Sequence, residues 1–115
     1  MFHKESTFID PPIWGKHFWT AIESIIISMD IAESQSVDSV YLFLISLQNT
    51  LPCPTCRLHY QDYCSRFSLK ENIFDKKLMF QWIYNLQKEI QQRNNRPMID
   101  FDTYMENVKT KFQLI

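Results

Sequence analysis

The sequence predicts an all-α fold, a four-helix bundle with an additional short C-terminal helix, and three observations predict it. Only one glycine occurs in 115 residues, whereas the turns of β-hairpins draw repeatedly on glycine for positive φ. Apolar residues recur three and four positions apart through most of the chain. All five prolines stand between those periodic runs, at Pro11, Pro12, Pro52, Pro54 and Pro97, where helices start or stop.

Taken in order, Asp10-Pro11-Pro12 joins a capping residue to prolines that suit a first turn, and opens a helix running to about Met29. Phe18, Ile22, Ile25 and Met29 share its inner stripe, with Trp19 and Ile26 beside them. The second helix, Val37 to about Asn49, is apolar almost all round and reads as the buried centre of the bundle. Pro52 and Pro54 end it and leave Cys53 in a link, after which a third helix runs from Thr55 to about Arg66. Asp75 caps a fourth, with Leu78, Met79, Trp82, Ile83, Leu86 and Ile90 facing inward, which stops before Pro97. Asp100 caps the short last helix, where Phe101, Tyr104, Met105 and Val108 face the core.

A composition of 45% hydrophobic and 22% charged residues places the chain among folded proteins, and its length suits one domain. Twelve Lys and Arg against thirteen Asp and Glu leave no basic footprint, so no nucleic-acid partner is expected. Val40 to Leu47, the most apolar run, is too short for a membrane span. MFHKESTFIDPP lacks the apolar core of a signal peptide, so a cytoplasmic protein is expected.

The chemistry concentrates in LPCPTCRLHY, residues 51–60. Cys53 just before a helix and Cys56 in its first turn meet unpaired amide donors and the positive end of the helix dipole, which favour a thiolate. At this spacing the two close a small disulfide ring, and Pro54 stiffens the segment between them. Cys53, preceding the helix, is expected to be the more accessible sulfur. A zinc site is the rival reading, because Cys53, Cys56, His59 and Cys64 are all acceptable ligands. A helix would string Cys56, His59 and Cys64 along one side at rising distance, however, too stretched for one ion. A thioredoxin-type reading needs strands around the motif, and none is expected. With Cys53 and Cys56 paired, Cys64 has no fourth thiol to pair with and reads as a small buried hydrophobe.

A helical bundle of this size carrying Cys53-x-x-Cys56-x-x-His59, preceded by Trp14-Gly15-Lys16-x-x-Trp19 and followed by a Trp82-bearing helix ending near Arg96-Pro97, resembles the Erv/ALR family of FAD-linked sulfhydryl oxidases. The likeness spans about residues 14–108 and is closest to the short single-domain members of large DNA viruses. It implies an N-terminal extension over 1–13, an oxidase domain over 14–110 and a tail over 111–115. It also implies an FAD cofactor beside a redox-active Cys53–Cys56 disulfide, with oxygen as the final acceptor and hydrogen peroxide as product. The implied partners are a dithiol protein substrate or a thioredoxin-like carrier, and a second copy in a homodimer. The implied setting is the host cytoplasm or the virion, with no metal.

Carried over position by position, Lys16 and Trp19 match the family's Gly-(Arg or Lys)-x-x-Trp, which contacts the flavin nucleotide. His59 and Tyr60 match the His-Phe pair that lies against the cofactor, and Arg96 stands where a cation suits the FAD diphosphate. Glu23 occupies a position where the family commonly has histidine. Gln87, Lys88, Ile90 and Gln91 fall in the register of His-Asn-x-Val-Asn, in which the Val-type position survives conservatively as Ile90. Glutamine supplies hydrogen bonds there but no imidazole to stack on adenine. These departures leave a second alternative open beside the zinc module, a bundle that kept the fold and lost FAD.

Overall fold

Asp10, Glu33, Cys53, Ser68, Asp75 and Asp100 stand at the N-caps of six helices in the computed structural model, which describes residues 9–114. These are α1 (Pro11–Ser28), α2 (Ser34–Thr50), α3 (Pro54–Arg66), α4 (Leu69–Asn72), α5 (Lys76–Arg93) and α6 (Phe101–Lys111). No strand occurs among the described residues, and the fold is all-α. Residues 1–8 and Ile115, and with them most of the expected N-terminal extension, lie outside the described residues.

The capping expectations are met in two cases by a side-chain bond. Asp75 Oδ1 accepts from the Leu78 amide at 3.0 Å and Asp100 Oδ1 from the Thr103 amide at 2.7 Å. Asp10 sits at the N-cap without such a bond, and its carbonyl accepts from the Ile13 amide. The α4 turn was not expected. Its signal is the local Ser68-x-x-Glu71 pattern, in which Ser68 Oγ accepts from the Glu71 amide.

α2 packs on α3, α1 and α4 on α5, and α5 on α6. The centre is therefore α5 and not α2. Met79, Phe80, Trp82, Ile83, Tyr84 and Leu86 of α5 are all buried. α2 buries a single stripe, Val37, Val40, Leu44 and Leu47, and leaves Leu42 64% exposed. Its apolar sequence exceeds the surface its neighbours cover. On α5 the buried face is also rotated from expectation: Phe80 and Tyr84 point inward, whereas Leu78 is 46% exposed.

Three tyrosines lock this packing by donating to main-chain carbonyls, two of them within helices. Tyr60 donates to the Leu44 carbonyl at 2.7 Å, joining α3 to α2, and Tyr63 to the Trp82 carbonyl at 2.7 Å, joining α3 to α5. Tyr84 donates to the Ile99 carbonyl at 2.6 Å and ties down the segment entering α6. Each places a polar tip where burial without a partner would be costly.

Candidate functional site

Pro52 and Pro54 break the chain between α2 and α3, and the link Leu51-Pro52-Cys53 is fastened at every carbonyl. Leu51 O accepts from Arg57 Nη1 at 2.5 Å, Pro52 O from the Ile9 amide at 2.9 Å, and Cys53 O from the Arg57 amide at 3.0 Å. Cys53 takes the extended N-cap conformation, φ −137° and ψ 120°, and its Sγ accepts from the Cys56 amide at 3.2 Å. The sulfur thus does what a serine or aspartate oxygen does at other helix starts.

That geometry reverses two expectations. Cys53 is the more covered thiol, 3% exposed, while Cys56 is half-buried. Proline punctuation loosens the helix here, but the three carbonyl bonds close the link over Cys53. Nor is Cys56 a ready thiolate. Burial pushes its thiol up to about 12 and the adjacent Cys53 sulfur adds to the shift, whereas the Arg57 charge opposes it. Loss of water outweighs the helix terminus. His59 moves the other way: burial and then the Arg93 guanidinium hold its imidazole below the usual range, against the pull of Asp62.

Both cysteines stand on the wall of a cavity of about 390 Å³ between α1, α2, α3 and α5, within the roughly 300–1,000 Å³ typical of small-molecule sites. α1 contributes Trp14, Gly15, Phe18 and Trp19; α2, Leu44 and Leu47; α3, Thr55, Cys56, His59 and Tyr60; and α5, Trp82, Leu86 and Ile90, with Arg93 and Asn94 at its end. Among the described residues no carboxylate lines it. Gly15 is informative because a Cβ built there meets no atom within 4 Å. A helical glycine costs about 0.5–1 kcal/mol relative to alanine, and here it leaves open room at the cavity wall. Flat aromatic walls, two thiols and a few polar groups at one end are the donor set a planar heteroaromatic ring requires.

The structure thus brings Trp19, His59, Tyr60 and Ile90 together with Cys53 and Cys56. It places the remaining sequence candidates elsewhere. Lys16, Lys88 and Arg96 are exposed and do not line the cavity. Glu23 and Gln87 belong to a separate network: Tyr104 donates to Glu23 Oε2 at 2.6 Å, Lys111 reaches Glu23 Oε1 at 2.7 Å, and Gln87 Nε2 bonds the Tyr104 hydroxyl at 3.3 Å. Gln91 Oε1 is buried without a partner among the described residues.

The cation at the cavity is Arg93, missed by sequence reasoning, because α5 ends sooner than Pro97 suggests. Asn95 turns left-handed at φ 54°, its amide and that of Arg96 close onto Gln92 O and Gln91 O, and Arg96 falls beyond the reversal. Trp14 and Phe18 were visible in the sequence, one within the tryptophan motif and one on the core stripe. Among the described residues no three His, Cys, Asp or Glu side chains gather as metal ligands would.

Three viral proteins that carry the name FAD-linked sulfhydryl oxidase are similar to the chain. One from Invertebrate iridescent virus 3 is 26% identical over 105 residues, covering 90% of this chain and 71% of its own. One from Acanthamoeba polyphaga mimivirus is 20% identical over 104 residues, 88% of this chain and 72% of its own. The chain is similar to viral FAD-linked sulfhydryl oxidases. A third, from Invertebrate iridescent virus 6, is 25% identical over 99 residues, 81% of this chain and 89% of its own. No family model and no solved structure matches significantly. The chain carries its thiol pair on the wall of an aromatic cavity, and Glu23 of α1 is turned into the α6 network.

Proposed function

We propose that this protein is an FAD-dependent thiol oxidase that forms disulfides in a dithiol protein, with residues 14–110 as the catalytic unit. The observation that carries the reading is the shared wall: Cys53 and Cys56 border the same aromatic cavity as Trp14, Trp19 and Trp82. The residues present fit an isoalloxazine ring, with Arg93, His59 and Asn94 as the polar groups nearest to hand for its nucleotide portion. FAD, when bound, supplies the two-electron acceptor that returns the reduced pair to its disulfide and delivers the electrons to oxygen as hydrogen peroxide.

The chain's own share is thiol chemistry. A substrate thiolate attacks one sulfur of the Cys53–Cys56 disulfide, the S–S bond breaks, and a mixed disulfide forms with the other sulfur leaving as thiolate. The substrate's second thiol loses its proton and displaces the protein sulfur, so the substrate loses two electrons and the pair gains them. With Cys56 pushed up to about 12, the reduced pair keeps its proton at neutral pH until a base takes it. His59 lies one helical turn from Cys56 on the same cavity wall; burial favours its neutral form, which has a ring nitrogen free to take that proton, and also weakens it as a base.

A zinc module is the weaker reading, because the candidate ligands do not converge. No helix is long and apolar enough among the described residues to cross a membrane, which is compatible with a dithiol protein met in a reducing compartment. The test is oxygen uptake with dithiothreitol. Cys56→Ser is expected to retain bound flavin and lose turnover to background, and undiminished turnover in that variant refutes the assignment.

A further inference from the structure

The Pro52 carbonyl, one residue before Cys53, is held by a segment far from it in sequence. The Ile9 amide donates to Pro52 O at 2.9 Å, and the Ile9 carbonyl in turn accepts from Trp14 Nε1 at 2.8 Å. Trp14 itself stands in the cavity wall with Pro11 and Cys53, its ring packed edge-on against Phe18 at 5.2 Å. A clip therefore runs from the cavity wall through Ile9 to the loop that carries the covered thiol. Helix packing does not require it. Ile9 precedes α1, is 47% exposed and makes this contact through its backbone.

We propose that Trp14 is a positioning residue for the thiol pair: its indole N–H holds Ile9 across the Pro52 carbonyl, and this clip keeps Cys53 covered and sets how readily a dithiol substrate reaches it. A tryptophan is needed for that, because phenylalanine fills the same wall without an N–H. With the clip released, the Leu51–Cys53 link keeps its bonds to Arg57 but loses the one that joins it to the start of α1. The inference rests on the oxidase reading for the meaning of access, though not for the clip itself.

The experiment is thiol alkylation of the reduced, flavin-free protein with iodoacetamide, the two sites resolved by mass spectrometry. In Trp14→Phe the rate at Cys53 is expected to rise about tenfold while the rate at Cys56 changes by less than twofold, with the thermal midpoint close to native. Ile9→Pro, which removes the amide donor to Pro52 directly, is expected to give the same selective rise and carries the test if Trp14→Phe unfolds. Unchanged Cys53 alkylation in a folded variant of either kind overturns the proposal, as does an equal rise at both thiols, which marks general loosening. A protein that binds no flavin yet shows the selective rise keeps the clip and sinks only the oxidase reading.

Discussion

At the thiol end of the bundle, each carbonyl of the Leu51–Cys53 link meets an N–H donor and, among the described residues, no carboxylate faces the cavity. At the α6 end, by contrast, a carboxylate only 1% exposed, Glu23, is enclosed by the Tyr104 hydroxyl and the Lys111 ammonium. The first arrangement spends its hydrogen bonds on shaping a backbone and leaves an apolar hollow beside two sulfurs. The second spends a buried charge on docking a helix. Room for a ligand ring and rigidity of the closing helix are thus supplied by different chemistry at two places along α1.

The largest effect that sharpens this contrast is expected at Gly15. Gly15→Leu improves helix propensity by close to 1 kcal/mol and drives a side chain into the open room of the cavity. Flavin titration should show binding lost while the thermal midpoint holds or rises; normal binding places the ring elsewhere.

The next test compares one substitution at two sites. Tyr104→Phe removes a hydroxyl from a buried carboxylate and should cost about 1.5–3 kcal/mol, whereas Tyr63→Phe removes one from the Trp82 carbonyl and should cost about 1 kcal/mol. Urea unfolding measures both. Equal losses would mean that Lys111, whose side chain is 41% exposed, already neutralises Glu23 unaided.

The smallest and broadest effect is alkaline. Burial raises Cys56 from about 9 to about 12 and, first among their causes, also raises Tyr60 and Tyr104 above their ordinary values. The folded chain keeps protons that the unfolded chain releases, so stability is whole below about pH 9 and falls between about pH 9 and 12. Denaturant midpoints that stay flat across that window would contradict the burial of these groups.

Much of the architecture was legible because it is written in short-range signals. Proline pairs, Asp75 and Asp100, and the three-and-four spacing of apolar residues placed five of the helices to within a few positions. What was not legible depends on residues distant in the chain. Glu23 lies 81 positions from Tyr104 and 88 from Lys111, and no local pattern announces that they meet. The apolar abundance of α2 likewise says nothing of how many neighbours will cover it, and α5 became the centre instead. In the site, the thiol pair, Trp19 and His59 were readable from motif spacing. Arg93 was not, because its place depends on a left-handed Asn95 that ends α5 before Arg96. The order of thiol exposure was hidden too, and the clip proposed to set it depends on a bond from Ile9 to Pro52 across 43 positions.

The central claim is that the aromatic hollow beside Cys56 receives an isoalloxazine ring. Reconstitution of the purified protein with FAD, followed by a visible spectrum after gel filtration, tests it most directly. The account predicts a retained flavin band near one equivalent per chain, perturbed when Cys56 is changed to serine. A colourless protein that passes through unchanged after exposure to excess FAD would contradict it.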